Sequence, residues 1–227
     1  MEKAISIAID GPAAAGKSTV AKEVARRLGF VYVDTGAMYR AFTYAVIKAG
    51  LDPKDEEASC SLIGKVSIKL LPDYSIICNG EDVSKAIREP FVSSNVSYIA
   101  SYKRIRLELV DMQRDMAKSV CVVMDGRDIG TYVLPNADVK IFQIASVETR
   151  ALRRYEENKA KGIPTSYEDV YEDLRKRDYI DSHRAFAPLC QAEDAVPLDT
   201  SNMNIDEVVE AILSIIKQKT GAEPVCR

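Results

Sequence analysis

Near its start the chain reads Gly11-Pro12-Ala13-Ala14-Ala15-Gly16-Lys17-Ser18-Thr19. An apolar run at residues 5–9 precedes this segment and an amphipathic run at residues 20–28 follows it, which predicts a strand, a glycine-rich loop and a helix. Gly11 and Gly16 permit backbone turns that bring consecutive amide N–H groups to one point, and the helix N-terminus behind them adds partial positive charge. The loop is therefore predicted to bind an anion.

The spacing of this loop matches the pattern G-x-x-x-x-G-K-[ST], which binds the phosphates of nucleotides. Lys17 is placed to reach the β- and γ-phosphates as a point charge, and the Ser18 hydroxyl is placed to bind Mg²⁺. We expect the whole loop from Gly11 to Thr19 to contact the nucleotide. The alternative is a glycine-rich turn that only connects a strand to a helix.

The composition is that of an ordinary globular protein of 227 residues, with 47% hydrophobic and 29% charged residues. A net charge of −3 argues against a nucleic-acid or membrane surface, so we expect small molecules as partners. The chain shows no leader pattern and no apolar run of about 18 residues, which favours a cytoplasmic location. Scattered cysteines without C-x-x-C spacing favour reduced thiols. They are Cys60, Cys78, Cys121, Cys190 and Cys226.

Apolar runs alternate with amphipathic segments along most of the chain, which predicts an α/β fold with a parallel sheet. The predicted strands are 5–9, 30–33, 120–124, 139–145 and 195–199. The predicted helices include 20–28, 37–49, 92–118 and 205–219, with a linking helix in 51–65. Together with the loop, this pattern predicts the three-layer fold of the P-loop NTPases, a five-stranded parallel sheet with flanking helices.

Two segments depart from this alternation. Short apolar runs around Pro72-Asp73 and before Asn79-Gly80 predict a small antiparallel insert at residues 66–97. Residues 148–184 are polar and highly charged, and Gly162-Ile163-Pro164 divides them into two helices, which predicts a helical lid over about 155–184. The predicted core then comprises residues 1–65 and 98–227.

Ligands of such sheets bind outside the carboxyl ends of the strands, so residues 11–18, 34–40 and 125–128 should converge, with Asp199 nearby. Arginines recur at these strand ends and at the edges of the insert and lid. They are Arg40, Arg106, Arg127, Arg177 and Arg184. Phosphoryl transfer depends on positioning and on cations that stabilise charge on the transferred group, with little need for a protein base. The single histidine of the chain fits that chemistry.

The sequence resembles the bacterial cytidylate kinases, and the resemblance runs nearly from end to end. The matching motifs are Ile9–Ser18, Asp34–Arg40, Asp125–Thr131 and Arg177–Arg184, with further similarity in Gly80–Ser84 and Ala185–Leu189. The resemblance implies ATP-dependent phosphorylation of CMP and dCMP with Mg²⁺, by a protein that we expect to be a monomer.

The resemblance also implies roles for individual residues. Those implied to bind the acceptor α-phosphate are Thr35, Arg40, Arg127 and Arg184, and those implied to read cytosine are Ser97, Arg106 and Asp128. Arg177 and Asp181 are implied to bind the sugar hydroxyls. Lys17, Arg127 and Arg184 are the candidate catalytic residues, and Ser18 is the candidate metal ligand. Arg150 and Arg154, one helical turn apart, are expected to stack on the donor base or bind its phosphates.

Several alternatives stay open at this point. Asp34 could hold a water of the Mg²⁺ shell or cap a helix, and Asp128 could read the base or form an ion pair with a neighbouring arginine. A kinase for AMP or UMP would share the loop, sheet and lid. A GTP-dependent regulator would need an N-K-x-D motif, which the sequence does not contain. A purely structural protein is disfavoured by the intact loop lysine and the arginines.

Overall fold

A computed structural model describes residues 4–224. Its strands are β1 (Ser6–Asp10), β2 (Val31–Asp34), β3 (Ile68–Leu70), β4 (Ile76–Cys78), β5 (Glu81–Asp82), β6 (Val122–Gly126), β7 (Val139–Ile144) and β8 (Val196–Asp199). Its helices are α1 (Lys17–Leu28), α2 (Thr35–Lys48), α3 (Glu56–Cys60), α4 (Pro90–Ser101), α5 (Lys103–Ala117), α6 (Val147–Ala160), α7 (Tyr167–His183) and α8 (Ile205–Thr220). A 3₁₀ turn (Ala86–Arg88) and a π-helical turn (Ile129–Val133) complete the elements.

The described chain divides into two compact units. The first comprises residues up to Tyr32 and from Ser119 onward, and the second comprises Val33–Lys118. The predicted antiparallel insert at 66–97 lies inside the second unit, whose bounds are wider. The predicted division into a core and an insert stays a prediction.

The first unit is built on a five-stranded sheet with the strand order β2-β6-β1-β7-β8. β1 pairs in parallel with β6 and with β7, so that Ile9 lies between Asp125 and Ile141, and β7 pairs in parallel with β8. The backbone N–H of Val31, at the start of β2, donates to the Cys121 carbonyl at 2.9 Å. The prediction of a five-stranded parallel sheet is confirmed.

Two helices cover an apolar side of this sheet. α1 contributes Val20 and Val24, and α8 contributes Val209 and Ile212, to one buried cluster with Ile7, Ile9 and Ile141 of the strands. α1 ends at Gly29, where a φ of 69° lets the backbone N–H donate to the carbonyls of the last helical turn. Packing of α1 on β1 fixes the position of the loop between them.

The second unit contains a small antiparallel sheet with the strand order β3-β4-β5. Ile68 lies opposite Cys78, and Cys78 lies opposite Glu81. Asn79 and Gly80 join β4 to β5 with φ values of 50° and 86°, as the predicted Asn-Gly turn requires. The second unit also contains α2, α4 and α5. Helix α2 packs against α4 and contacts strands β3 and β4. The predicted antiparallel strands are confirmed, with β5 as an additional short strand.

Two helix predictions were too long. Residues 92–118 form two helices, because Tyr102 between α4 and α5 has an extended ψ of 113° and its hydroxyl donates to the Pro53 carbonyl at 3.0 Å. Residues 51–65 contain only the short α3, with a proline before it and Gly64 at a positive φ of 72° after it. Local propensity could not show the first interruption, since its hydrogen bond is to a distant residue, whereas the proline and Gly64 are local signals of the second.

The charged segment after β7 forms the two predicted helices, α6 and α7, which pack on each other through Ala151, Val170 and Leu174. Ser146 and Ser166 cap their N-termini by accepting from the Thr149 and Asp169 backbone N–H groups. The helical hairpin is confirmed, and its closure as a lid stays a prediction.

Two further expectations concern thiols and membranes. Four cysteines are free thiols and Cys226 lies outside the described residues. None of the helices within residues 4–224 has the length and apolar character needed to cross a bilayer.

Candidate functional site

The phosphate loop between β1 and α1 has the backbone that its glycines allow. Gly11 has a φ of 152° and Gly16 a φ of 88°. A Cβ on Gly11 would lie 2.0 Å from the Gln143 carbonyl oxygen of β7, so the loop passes too close to that strand for any side chain. Ala14 also takes a positive φ, of 57°. The sequence predicted that Gly11 and Gly16 are needed for the turns, and the close approach to β7 adds a second reason at Gly11.

Three side chains donate to carbonyl groups of this loop. Lys17 Nζ donates to the Pro12 oxygen at 2.7 Å, Arg150 Nη1 to the Ala13 oxygen at 3.1 Å, and Gln143 Nε2 to the Ala15 oxygen at 2.5 Å. Satisfying the carbonyl groups holds the backbone in place without using its N–H groups, which are the groups that bind phosphate. The loop is therefore preorganised to receive an anion.

Lys17 has a strongly lowered pKa. Its side chain is buried, and burial lowers its pKa from 10.5 to about 7, with help from the nearby Arg127 guanidinium. The carboxylates of Asp125, Asp10 and Asp181 act in the opposite direction but do not outweigh these effects. Without an anion, Lys17 therefore loses its proton near neutral pH.

Nucleotide binding should consequently take up a proton. A bound phosphate favours the charged form of Lys17, so its pKa rises on binding and the affinity for ATP should fall as pH rises above about 7. At pH 8 we expect an uptake approaching about one proton, measured by titration calorimetry in two buffers of different ionisation enthalpy. The Lys17→Met variant is the control and should show no uptake. Equal uptake in both proteins would assign the proton to another group.

The hydroxyl and carboxylate groups beside the loop suit a magnesium ion. Ser18 Oγ donates to Asp125 Oδ2 at 2.9 Å, and Asp125 Oδ1 accepts from the Tyr32 hydroxyl at 2.7 Å. Mg²⁺ prefers oxygen ligands and is commonly held by one or two protein groups together with substrate phosphates. Ser18 and Asp125 would hold it here, where it would neutralise charge on the phosphates. Sequence reasoning placed Asp125 in the converging segment 125–128 but assigned it no role in binding the metal.

Arginine–carboxylate pairs join the end of β6 to α7 and to the segment that follows α7. Arg127 Nε donates to Asp181 Oδ2 at 2.9 Å, and Arg184 Nη2 donates to Asp128 Oδ1 at 3.1 Å in a fully buried pair. Burial alone would raise the pKa of Asp181, but Arg127, Arg177 and Arg184 outweigh it and lower that pKa. Five residues predicted to bind the acceptor therefore form one electrostatic network in the first unit: Arg127, Asp128, Arg177, Asp181 and Arg184.

Asp10 is buried in this unit, and Arg177 is half-buried. Burial, with the positive charges of Arg127 and Arg154, lowers the pKa of Arg177. Asp10 accepts from the backbone N–H groups of Ile129 and Gly130 at 2.8 and 2.7 Å, and burial raises its pKa to about 6. Asp10 thus anchors the π-helical turn that follows Asp128. The sequence offered no signal for this role beyond an aspartate at the end of β1.

The second unit holds the other predicted acceptor residues. Thr35, Ser97 and Arg106 are buried on α2, α4 and α5, and Arg106 Nη1 donates to the Ala100 carbonyl while its guanidinium lies 5.2 Å from the Tyr39 ring centre. Arg40 Nη1 donates to Ser93 Oγ at 2.7 Å. Helices α2, α4 and α5 pack against one another. The side chains of Thr35, Arg40, Ser97 and Arg106 are therefore carried by elements of one packed unit.

Asp34 caps a helix, which is one of the two roles that the sequence left open for it. Its Oδ1 accepts from the Ala37 backbone N–H at 2.8 Å, which makes it the N-cap of α2. Its other oxygen lies 3.8 Å from Arg88 Nη2. The capping interpretation is confirmed, and the cap fixes the start of the helix that carries Thr35 and Arg40.

Comparison with known proteins agrees with this arrangement. Residues 7–218 match the family described as cytidylate kinase. A cytidylate kinase of Anoxybacillus flavithermus is 53% identical over 96% of this chain and 99% of its own length. One of Geobacillus kaustophilus is 52% identical over 97% of this chain and 100% of its own length. The chain belongs to the cytidylate kinase family. A crystal structure of an uncharacterized protein from Eubacterium ventriosum, 14% identical, aligns over 95% of this chain and 99% of its own with a TM-score of 0.51, which supports the fold alone.

The part of the chain that matches the cytidylate kinase family includes every candidate residue from Gly11 to Arg184. Two members of the predicted donor site differ in their surroundings. Arg154 is partly exposed and pairs with Glu157 on its own helix at 3.3 Å. Arg150 is buried and donates to the Ala145 and Ala13 carbonyls, a position that sequence spacing could not show. Contact of either side chain with ATP stays a prediction.

Proposed function

We propose that this cytidylate kinase family member transfers the γ-phosphoryl group of ATP to CMP and dCMP, with Mg²⁺, as a cytoplasmic monomer. The observation that carries the proposal is the match to curated cytidylate kinases at about half of all positions over nearly the whole chain. The preorganised phosphate loop and the buried arginine pairs support it, because they supply the cations that phosphoryl transfer requires.

In this proposal the chain's own residues position two nucleotides and stabilise charge. The loop amides and Lys17 hold the donor phosphates, and Ser18 with Asp125 would hold the Mg²⁺ ion. Thr35, Arg40, Arg127 and Arg184 bind the acceptor phosphate, as the family resemblance implies. The guanidinium groups stabilise charge that develops on the transferred group during in-line attack, so no protein base is needed.

The preference for cytosine is proposed to come from Asp128 and Arg106. Cytosine offers an exocyclic amino donor and a ring acceptor, whereas uracil offers a carbonyl and an N–H at those positions. A carboxylate accepts from the amino group and repels the carbonyl, and an arginine donates to the ring nitrogen or the 2-carbonyl. A site built for polar partners rejects a mismatched ligand because its own buried groups are left unpaired.

The function is tested by measuring ADP release with CMP, dCMP, UMP and AMP at equal concentration. We expect CMP and dCMP to give the highest kcat/KM. Higher values with UMP or AMP would favour the alternative of a kinase with another base preference. ATP binding without turnover of any monophosphate would favour a nucleotide-dependent regulator.

Asp128→Ala separates two roles of this carboxylate. The Arg184–Asp128 pair shows that Asp128 positions an arginine, and base reading is an additional role. If Asp128 reads the base, its loss should lower kcat/KM for CMP by about 10²-fold or more and narrow the CMP-to-UMP ratio. Arg184→Ala is the matched control, because it breaks the same pair while keeping the carboxylate. An unchanged ratio in Asp128→Ala would show that Asp128 acts only through Arg184.

A further inference from the structure

Arg150 has an unusual set of partners for a side chain in the first turn of an exposed helix. Its side chain is 4% exposed. Nε donates to the Ala145 carbonyl at 2.9 Å, Nη1 to the Ala13 carbonyl at 3.1 Å, and Nη2 to Asp178 Oδ2 at 2.8 Å. One guanidinium therefore joins the end of β7, the phosphate loop and α7.

We propose that Arg150 and Asp178 are positioning residues that couple the phosphate loop to α7, so that donor and acceptor binding influence each other. The proposal rests on the proposed function, because it assigns the donor to the loop and the acceptor sugar to α7. Arg150 then acts through the protein and makes no contact with the donor base.

The position of Asp178 on α7 explains how the Arg150–Asp178 pair would affect acceptor binding. Asp181 lies three residues further along the same helix face and accepts from Arg127 at the end of β6. α7 is thus held at successive turns, once through Arg150 to the loop and once through Arg127 to the central sheet. Arg177, the predicted sugar-binding residue, lies beside Asp178. A shift of the loop at Ala13 is transmitted to the segment of α7 that carries Arg177 and Asp181.

The hydrogen bonds of Arg150 and the burial of the Asp178 carboxylate oxygen explain why the connection between the phosphate loop and α7 is rigid. Three of the five N–H groups of Arg150 are used in a fixed, planar arrangement that a lysine cannot reproduce. Asp178 Oδ1 is buried and has no hydrogen-bond partner among residues 4–224, so Arg150 is the one ion-pair partner that the described structure shows for this carboxylate. A buried charge that loses its partner is unfavourable, which keeps the pair closed.

The test measures coupling directly. The affinity of the full-length protein for a non-hydrolysable ATP analogue is determined with and without CMP, in the wild type and in Asp178→Asn, Arg150→Lys and Arg150→Ala. We expect CMP to strengthen analogue binding by about fivefold or more in the wild type and by less than about twofold in each variant. Turnover with ATP and CMP should fall by about tenfold through kcat, and the KM for ATP at saturating CMP should rise in all three variants by about the coupling factor that is lost. The nearly isosteric Asp178→Asn keeps the test valid if Arg150→Ala fails to fold.

Two further variants complete the design. Arg175→Ala removes an exposed arginine of α7 that pairs only locally with Glu172, and should behave as the wild type. The double variant Arg150→Lys/Asp178→Asn should be no worse than either single variant, because both break one link. Additive losses, a rise in KM for ATP confined to the Arg150 variants, or absence of coupling in the wild type would each overturn the proposal. Lack of CMP turnover by a wild type that still binds both nucleotides cooperatively would overturn the proposed function and leave the link intact.

Discussion

Replacing Lys17 by alanine is expected to reduce kcat by about 10³-fold or more, the largest effect of any single side chain in this protein. Lys17 is buried beside the loop. In the proposed function it places one positive charge where the transferred phosphoryl group gains negative charge. In a site with little water a charge of this kind is worth several kcal/mol. The measurement is single-turnover transfer from ATP to CMP, which isolates the chemical step from product release.

The matched control is Lys22→Ala, which removes a lysine from the next turns of the same helix. The Lys22 side chain is half-buried, and its Nζ lies 5.7 Å from the Tyr32 ring centre. Its loss should leave kcat within about twofold, since it makes no proposed contact with nucleotide. Near-normal transfer in Lys17→Ala would contradict the assignment of this loop as the donor site.

Gly11→Ala is expected to abolish tight ATP binding, with a loss of about 10²-fold or more in affinity. The new methyl group would lie 2.0 Å from the Gln143 carbonyl oxygen, and a φ of 152° at this position is unfavourable for alanine. Neither group can yield cheaply, because Gln143 is in the sheet and Gly11 begins the loop. The loop must move away from β7, which breaks the hydrogen bond from Gln143 to Ala15 and displaces the amides that bind phosphate. Calorimetric titration with ATP measures the loss.

A glycine elsewhere separates this clash from the general effect of adding a side chain. Gly64 also has a positive φ, of 72°, but a Cβ there meets nothing within 4 Å. Gly64→Ala should destabilise the protein by about 1 kcal/mol and leave ATP affinity unchanged. If Gly11→Ala bound ATP as tightly as Gly64→Ala, the close approach of loop and strand would have no functional role.

The local conformations of this protein are properties of its sequence. The spacing from Gly11 to Ser18 identified the loop and its ligand class, and the capping residue Asp34 and the Asn79-Gly80 turn were readable because each acts on backbone within three residues. The parallel sheet followed from apolar runs that alternate with amphipathic segments. Long helices were over-predicted where a distant partner, such as Pro53 for Tyr102, ended them.

The pairing of side chains across the sheet was decided by the tertiary structure alone. Asp10 with Gly130, Ser18 with Asp125 and Arg150 with Ala13 are each separated by more than a hundred residues, and strand register and helix packing determine which of many possible partners meet. Sequence spacing placed Arg150 and Arg154 on one helix one turn apart, yet packing buried the first against the loop and left the second at the surface. The sequence determines which groups are available for phosphate chemistry, and the fold determines which of them contact one another, because burial and charge pairing depend on distance in space.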